Sequence, residues 1–305
     1  MTSSSEFIVV GVDGSVAAAE AVAWAAEEAA RRHCELRLVH AYVLPADAGY
    51  GYPEWNPYPD DLRPVLQDRG QKLLDGLAAE LRSNHPELTI STRLIYGRTI
   101  VALRAESERA LLTVVGSGDA GRAYGVLLGS VALAVASTNP APVAVIHRGR
   151  TPRATGPVIV GVDGSRTSDA AVAFAFQAAS VRGADLVAIH VWDDVIVPGS
   201  HKLQNILVDP ARIEQQERAL LAERIAGWAD KYPDVSVEQT LVEGRAVTDL
   251  LDRTEQAQLL VVGSHGRGGF AGMLLGSTSH SLIIHSNCPV VVARPASMEG
   301  RPLQP

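Results

Sequence analysis

Short apolar runs alternate with longer amphipathic stretches along the whole chain. Residues 8–12 are an unbroken apolar run, the pattern of a strand buried on both faces of a parallel sheet. Asp13-Gly14 then turns the chain, and Ser15 is placed to cap the Ala-rich helix that follows. In that helix Glu27–Arg31 and Glu28–Arg32 read as i,i+4 pairs on a solvent face. A second strand is predicted at 37–42. A second helix is predicted at 61–83, with Leu62, Leu66, Leu73, Leu77 and Leu81 along one side. Strands at 88–96, 111–115 and 143–146 complete the set, with a short helix after Gly97 and another at 130–137. Strands alternating with helices imply right-handed βαβ units and a parallel α/β sheet with helices on both faces. In such sheets ligands bind beyond the carboxyl ends of the strands, which is where Asp13, Ala41 and Gly116 stand.

The pattern is written twice. Phe7-Ile-Val-Val-Gly-Val-Asp-Gly-Ser15 recurs as Pro157-Val-Ile-Val-Gly-Val-Asp-Gly-Ser165, an offset of 150. Leu38-Val-His40 recurs as Ala188-Ile-His190. Gly97-Arg98 recurs as Gly244-Arg245, Leu111–Gly116 as Gln258–Gly263, and Leu127–Ser130 as Leu274–Ser277, now at 147. Five ordered matches at a nearly constant offset make two tandem domains. The expected division is 1–148, a Gly/Pro/Arg-rich linker at 149–156, a second domain at 157–296, and a polar tail at 297–305. The first copy carries a segment at 45–61 with Tyr50, Tyr52, Trp55 and Tyr58 among prolines, and its equivalent at 193–210 lacks the aromatics. The first-copy segment reads either as a lid or contact surface, or as a loop packed on its own domain.

Composition narrows the partners. Of 305 residues 47% are hydrophobic, enough for two separate cores. The formal net charge is −7 and no Lys/Arg cluster stands out, which argues against nucleic acid. Two distant cysteines, Cys34 and Cys288, form no disulfide framework and are expected to be buried and inert. The start of the sequence carries no basic-then-apolar leader, and no apolar run approaches the ~20 residues of a membrane span. A soluble cytoplasmic protein without membrane partners is expected. The nine histidines show no metal-ligand spacing, and no metal is assigned. His40 and His190 end strand two of each copy and read as hydrogen-bonded core histidines.

The candidate chemistry lies in the second copy, in Gly263-Ser264-His265-Gly266-Arg267-Gly268-Gly269, followed by Gly276-Ser277-Thr278. This is Gly-x2-Gly-x9-Gly-Ser-Thr between a strand and an apolar helix. Glycines allow close backbone approach to an anion and positive φ, successive free N–H groups form an anion-binding concavity, and a helix start favours a phosphate. Read blandly, the glycines turn the chain and Ser277 caps a helix; the full spacing favours a nucleotide. Gly116-Ser-Gly118-Asp-Ala-Gly121 spells G-x-G-x-x-G, but no helix opens at once and residues 134–144 contain no acid, so NAD is rejected. No Gly-Lys-Ser/Thr follows these glycines, which rejects a Walker A loop.

With strand–Asp-Gly-Ser, His at the end of strand two, and Gly-x2-Gly-x9-Gly-Ser, the chain resembles the universal stress protein family in its tandem form over 6–148 and 156–295. The resemblance implies two open five-stranded parallel sheets of order 3-2-1-4-5, with ATP between strands one and four of a domain. It implies that Gly161 and Asp163 approach ribose and adenine, that Val191 offers backbone hydrogen bonds to adenine, and that Gly263–Gly269 and Gly276–Thr278 cradle phosphates. In the first copy the corresponding positions are Gly11, Asp13, Ala41, Gly116, Ser117, Gly118, Gly129, Ser130 and Val131. There Asp119 places a carboxylate toward the phosphates, opposing each phosphate charge by roughly 3 kcal/mol at ~6 Å before screening. Mg²⁺ or Arg122 is available to offset it. Unequal sites are therefore expected, the second tighter. The resemblance further implies a nucleotide-dependent regulator of growth or survival under stress, a homodimer, and an unidentified regulatory partner protein. Two alternatives stay open: a slow ATP hydrolase, for which no hydrolytic base is evident, and a scaffold with vestigial sites.

Overall fold

The computed structural model describes residues 6–44, 62–118, 129–192, 210–267 and 274–295. The chain divides into two compact units, Met1–Gly149 and Arg150–Pro305. The aromatic segment 45–61, most of its counterpart at 193–210, and the tail beyond 295 lie outside the described residues.

The first unit runs β1 (Phe7–Gly11), α1 (Val16–Arg31), β2 (Glu35–Tyr42), α2 (Leu62–Asn84), β3 (Ile90–Tyr96), α3 (Thr99–Ser107), β4 (Leu112–Gly116), α4 (Ser130–Thr138) and β5 (Val143–Ile146). The strands lie in the order β3-β2-β1-β4-β5, all parallel. The second unit repeats this with β6 (Val158–Gly161), α5 (Arg166–Arg182), β7 (Leu186–Trp192), α6 (Pro210–Lys231), β8 (Val237–Glu243), α7 (Ala246–Thr254), β9 (Leu259–Gly263), α8 (Ser277–His285) and β10 (Val290–Ala293). Its order is β8-β7-β6-β9-β10, again parallel. The expected α/β fold and strand order hold in each unit.

The central strands are dry on both faces: Ile8, Val9 and Val10 in β1, and Leu259, Leu260 and Val261 in β9, have no exposed surface. Burying each such side chain is worth about 1.5–3 kcal/mol, which is why uninterrupted apolar runs mark them in the sequence. Right-handed crossovers step outward from β1 to β2 to β3, then return to β4 and β5 on the other side. The reversal puts α1 and α2 on one face and α3 and α4 on the other. It also opens a crevice between the carboxyl ends of β1 and β4, repeated between β6 and β9.

Local chemistry sets the helix ends. Ser15 caps α1, its hydroxyl accepting from Ala18 N–H at 3.1 Å, and Ser165 does the same for Ser168 at 3.2 Å in α5. One surface reading needs correction. Glu27–Arg31 is exposed as expected, but Glu28–Arg32 is not on a solvent face: their side chains are 0% and 4% exposed, with a 2.6 Å contact. Glu28 shares the inner stripe with Ala21 and Ala25, so its partner spacing hid its burial. In α2 the fully buried positions are Gly70, Leu74, Ala78 and Leu81, while Leu62, Leu66, Leu73 and Leu77 are half-buried flanks. Cys288 is buried and Cys34 half-buried; burial pushes both thiols up to about 11, which leaves them protonated at neutral pH.

Candidate nucleotide site

In the second unit β6 ends at Gly161, and Asp163 follows at the crevice. One Asp163 carboxylate oxygen accepts from Ser165 N–H at 2.9 Å, closing the turn in which Gly164 takes φ +78°. The other accepts from Arg267 N–H at 3.1 Å, and the Arg267 Nε–H donates to the Asp163 carbonyl. Asp163 thus ties the strand-one turn to the glycine loop after β9.

That loop is stitched down on both sides. Thr167 Oγ1–H donates to the His265 carbonyl, and Ser165 Oγ–H reaches it at 3.3 Å. Gly276 N–H donates to Ser264 O at 2.8 Å, and Ser279 Oγ–H to Gly263 O at 2.7 Å. Gly263 and Gly266 are required by space. A Cβ on Gly263 would lie 2.8 Å from the Thr167 carbonyl carbon, and one on Gly266 would lie 2.7 Å from an Asp163 carboxylate oxygen. Among the described residues of this loop none has positive φ, so close approach, and not left-handed backbone, is the reason for glycine here. Helix α8 opens at Gly276-Ser277 with no side-chain cap, and a helix start without one leaves N–H groups for an anion. Thr278 lies in its first turn; Gly268 and Gly269 lie outside the described residues. Glycine backbone packed this closely beside an uncapped helix start is an arrangement that fits a phosphate chain. Among the described residues no group of three or more His, Cys, Asp or Glu is placed to hold a metal.

Next to the loop lies a feature that the spacing of motifs did not reveal. His190, one residue before Val191 in β7, is 2% exposed and holds the Val162 carbonyl through Nδ1 at 2.5 Å. A carbonyl only accepts, so Nδ1 carries the hydrogen and donates. The opposite nitrogen, Nε2, lies 2.6 Å from Glu217 of α6, and Glu217 in turn takes Arg267 Nη2 at 3.2 Å. Buried, hydrogen-bonded His190 agrees with its reading as a core histidine. Glu217 escapes sequence reasoning, although its carboxylate reaches the loop directly through Arg267.

Burial would raise the Glu217 carboxyl, but hydrogen bonds from Arg267 and His190 outweigh it and hold the group below its ordinary 4.5. A depressed carboxylate contributes stability that is fully present above its unfolded value and is lost as pH falls through the folded one. Wild type should therefore melt about 2 °C above Glu217→Gln at neutral pH. The gap should persist to about pH 5 and close below 4.5, as thermal unfolding across pH checks.

The first unit builds the same outline with less in it. Asp13 accepts from Ser15 N–H at 2.9 Å and is exposed. His40 holds the Val12 carbonyl through Nδ1 at 2.7 Å and brings Ala41 beside the turn, but it is only half-buried. A Cβ on Gly116 would fall 2.4 Å from the Ala17 carbonyl oxygen, and Gly11 abuts Leu103. Ser117 N–H donates to Ile146 O at 2.8 Å, its Oγ accepts from Arg148 N–H at 3.1 Å, and its carbonyl accepts from Gly129 N–H at 2.6 Å. Gly118, at φ +85°, is the loop glycine that does need left-handed backbone. Ser130 and Val131 open α4, again without a side-chain cap. Asp119 and Arg122 lie outside the described residues.

Among the described residues no helix is long and apolar enough to cross a membrane. Compared with known proteins, the chain matches the model of the universal stress protein family twice, over 6–147 and 155–294. It is similar to a universal stress protein of Mycobacterium tuberculosis, 40% identical over 303 residues that cover 95% of this chain and 97% of that one. It is also similar to one of Mycobacterium bovis, 38% identical over 297 residues, covering 94% and 96%. A crystal structure of a universal stress protein from Archaeoglobus fulgidus shares the fold at a TM-score of 0.69, with 20% identity and coverage of 94% and 96%. A double match along the chain, relatives matched over nearly their full length and a shared fold lead to one conclusion: this chain belongs to the universal stress protein family, with the family's domain present in tandem.

Proposed function

We propose that the protein binds ATP and acts as a nucleotide-dependent regulator in the stress response, with its principal site in the second unit. The observation that carries this reading is the cradle at the β6/β9 crevice, where Gly263–Gly266 and the uncapped start of α8 stand beside Asp163. In this reading Gly161 and Asp163 meet the nucleoside, and the Val191 backbone meets adenine. Ser264, His265, Arg267, Gly276, Ser277 and Thr278, together with Gly268 and Gly269, meet the phosphates. Mg²⁺ arrives with the phosphate oxygens as a counterion, since the described side chains supply no cluster for it. The first unit, with Gly11, Asp13, Ala41, Gly116–Gly118 and Gly129–Val131, is the weaker site because Asp119 opposes phosphate.

A regulatory role suits the site better than hydrolysis. Among the described residues the acids at the site are Asp163 and Glu217, and both are already engaged with Arg267 and so poorly placed to position a water. A cytoplasmic homodimer that reports its nucleotide state to a partner protein completes the proposal, with domains at 1–148 and 157–296. The test is to denature purified protein, identify the released nucleotide by mass, and titrate nucleotide-free protein by calorimetry. ATP is expected, with one tight and one weaker site per chain. No released nucleotide and no binding would leave a scaffold. Turnover faster than about 1 per second would make it an enzyme.

A further inference from the structure

We propose that Glu217 is a positioning residue of the second site: through Arg267 it fixes the glycine loop in the conformation that receives a phosphate chain, and so makes this site select phosphorylated nucleotides over the bare nucleoside. The proposal rests on the nucleotide reading above.

Four elements meet in one chain of contacts. The carbonyl of Val162 after β6 fixes the His190 ring of β7, His190 fixes the Glu217 carboxylate of α6, and Glu217 holds the Arg267 guanidinium of the loop after β9. Glu217 is about one-fifth exposed and His190 2%, so the carboxylate has a fixed seat, whereas Arg267 is half-exposed at the mouth. Arg267 sits between Gly266 and Gly268, where the backbone alone has little stiffness. Its backbone N–H and Nε–H reach Asp163, and its terminal nitrogens lie 3.2 and 3.5 Å from Glu217. A guanidinium has five N–H donors, so one held this way keeps donors for a phosphate oxygen. Ordering the arginine before a ligand arrives removes the rotamer entropy that binding would otherwise cost.

The first unit supplies an internal control. At the offset of 147 that aligns Gly116 with Gly263, Glu217 corresponds to Gly70 and Arg267 to Ala120. A Cβ on Gly70 would point at His40, 2.7 Å from Cδ2 and 3.3 Å from Nε2. The histidine is therefore kept in both units, whereas at the aligned positions the carboxylate and the arginine stand only in the second.

The experiment is calorimetric titration of the full chain with ATP and with adenosine, in wild type, Glu217→Gln, Glu217→Ala, Arg267→Ala and the double variant E217A/R267A. Glu217→Ala and Arg267→Ala are each expected to weaken ATP at the tight site about tenfold, Glu217→Gln less, and adenosine less than twofold. The double variant should lose no more ATP affinity than Arg267→Ala, because Glu217 acts through that residue. Equal losses for ATP and adenosine would show a merely structural role and overturn the proposal. So would additive losses in the double variant, or a gain in ATP affinity on removing the carboxylate, which would make Glu217 a competitor of the phosphate. If wild type binds no nucleotide, it is the underlying reading that fails.

Discussion

On the proposed nucleotide reading, Gly263→Ala is expected to abolish tight ATP binding in the second unit, and by steric overlap alone to lower stability by about 1–3 kcal/mol. The added Cβ would meet the Thr167 carbonyl carbon at 2.8 Å and its oxygen at 2.9 Å, in the backbone of α5's first turn. Backbone cannot swing aside as a long side chain can, so the loop must retreat from α5. That retreat breaks the Thr167 hydroxyl bond to His265 O and pulls Arg267 from Asp163. Titration with ATP and a thermal melt check both effects. The corresponding Gly116→Ala meets Ala17 O at 2.4 Å, so it should destabilise at least as much while sparing the tight site. A Gly263→Ala protein that binds ATP like wild type would show that close approach of loop and helix is not what builds the site.

The second large effect is expected at Asp163. Its carboxylate accepts from Ser165 N–H and from Arg267 N–H, one bond closing a turn and the other joining two segments over 100 residues apart in sequence. Hydrogen bonds to an ionised group are worth about 1.5–3 kcal/mol. Asp163→Ala should lose about that much and its nucleotide as well. Asp13→Ala should cost only about 1 kcal/mol, because exposed Asp13 bonds among the described residues to Ser15 and to no second segment. Asp163→Asn should fall between them: its amide oxygen still serves Ser165, while its NH2 cannot accept from Arg267. Chemical denaturation of the three variants orders them. Equal costs at positions 13 and 163 would mean that the bond to Arg267 carries little.

Much of this was legible because local pattern and burial coincide. β1, β6 and β9 announce themselves as apolar runs, since a strand covered on both faces favours apolar side chains throughout; β4 departs from this only at buried Thr113. Ser15 and Ser165 were legible as caps because capping is decided within three residues. The glycines at 263, 266 and 276 were found by spacing, though for a reason that spacing does not reveal: two need room against Thr167 and Asp163, not positive φ.

What escaped lies at longer range. Glu28–Arg32 has the spacing of a solvent pair and is buried, because spacing tells which residues share a helix face but not what covers that face. Glu217 sits in a helix of Glu, Gln and Arg, and nothing within a turn of it names His190 or Arg267 as its partners. One signal was available: the repeat aligns it with Gly70, a carboxylate against a residue without a side chain, facing a histidine present in both copies.

Sequence alone sufficed for the tandem α/β plan and for the crevice at which each glycine loop would stand, because apolar periodicity and turn residues are local and the repeat writes them twice. The family was legible through the resemblance carried by the Gly-x2-Gly-x9-Gly-Ser motif. How Arg267 is held depends on folding, because its partners, Asp163 and Glu217, come from 104 and 50 residues earlier in the chain. Right-handed crossovers bring those segments to one edge of the parallel sheet, and side-chain geometry there depends on packing that no local pattern encodes.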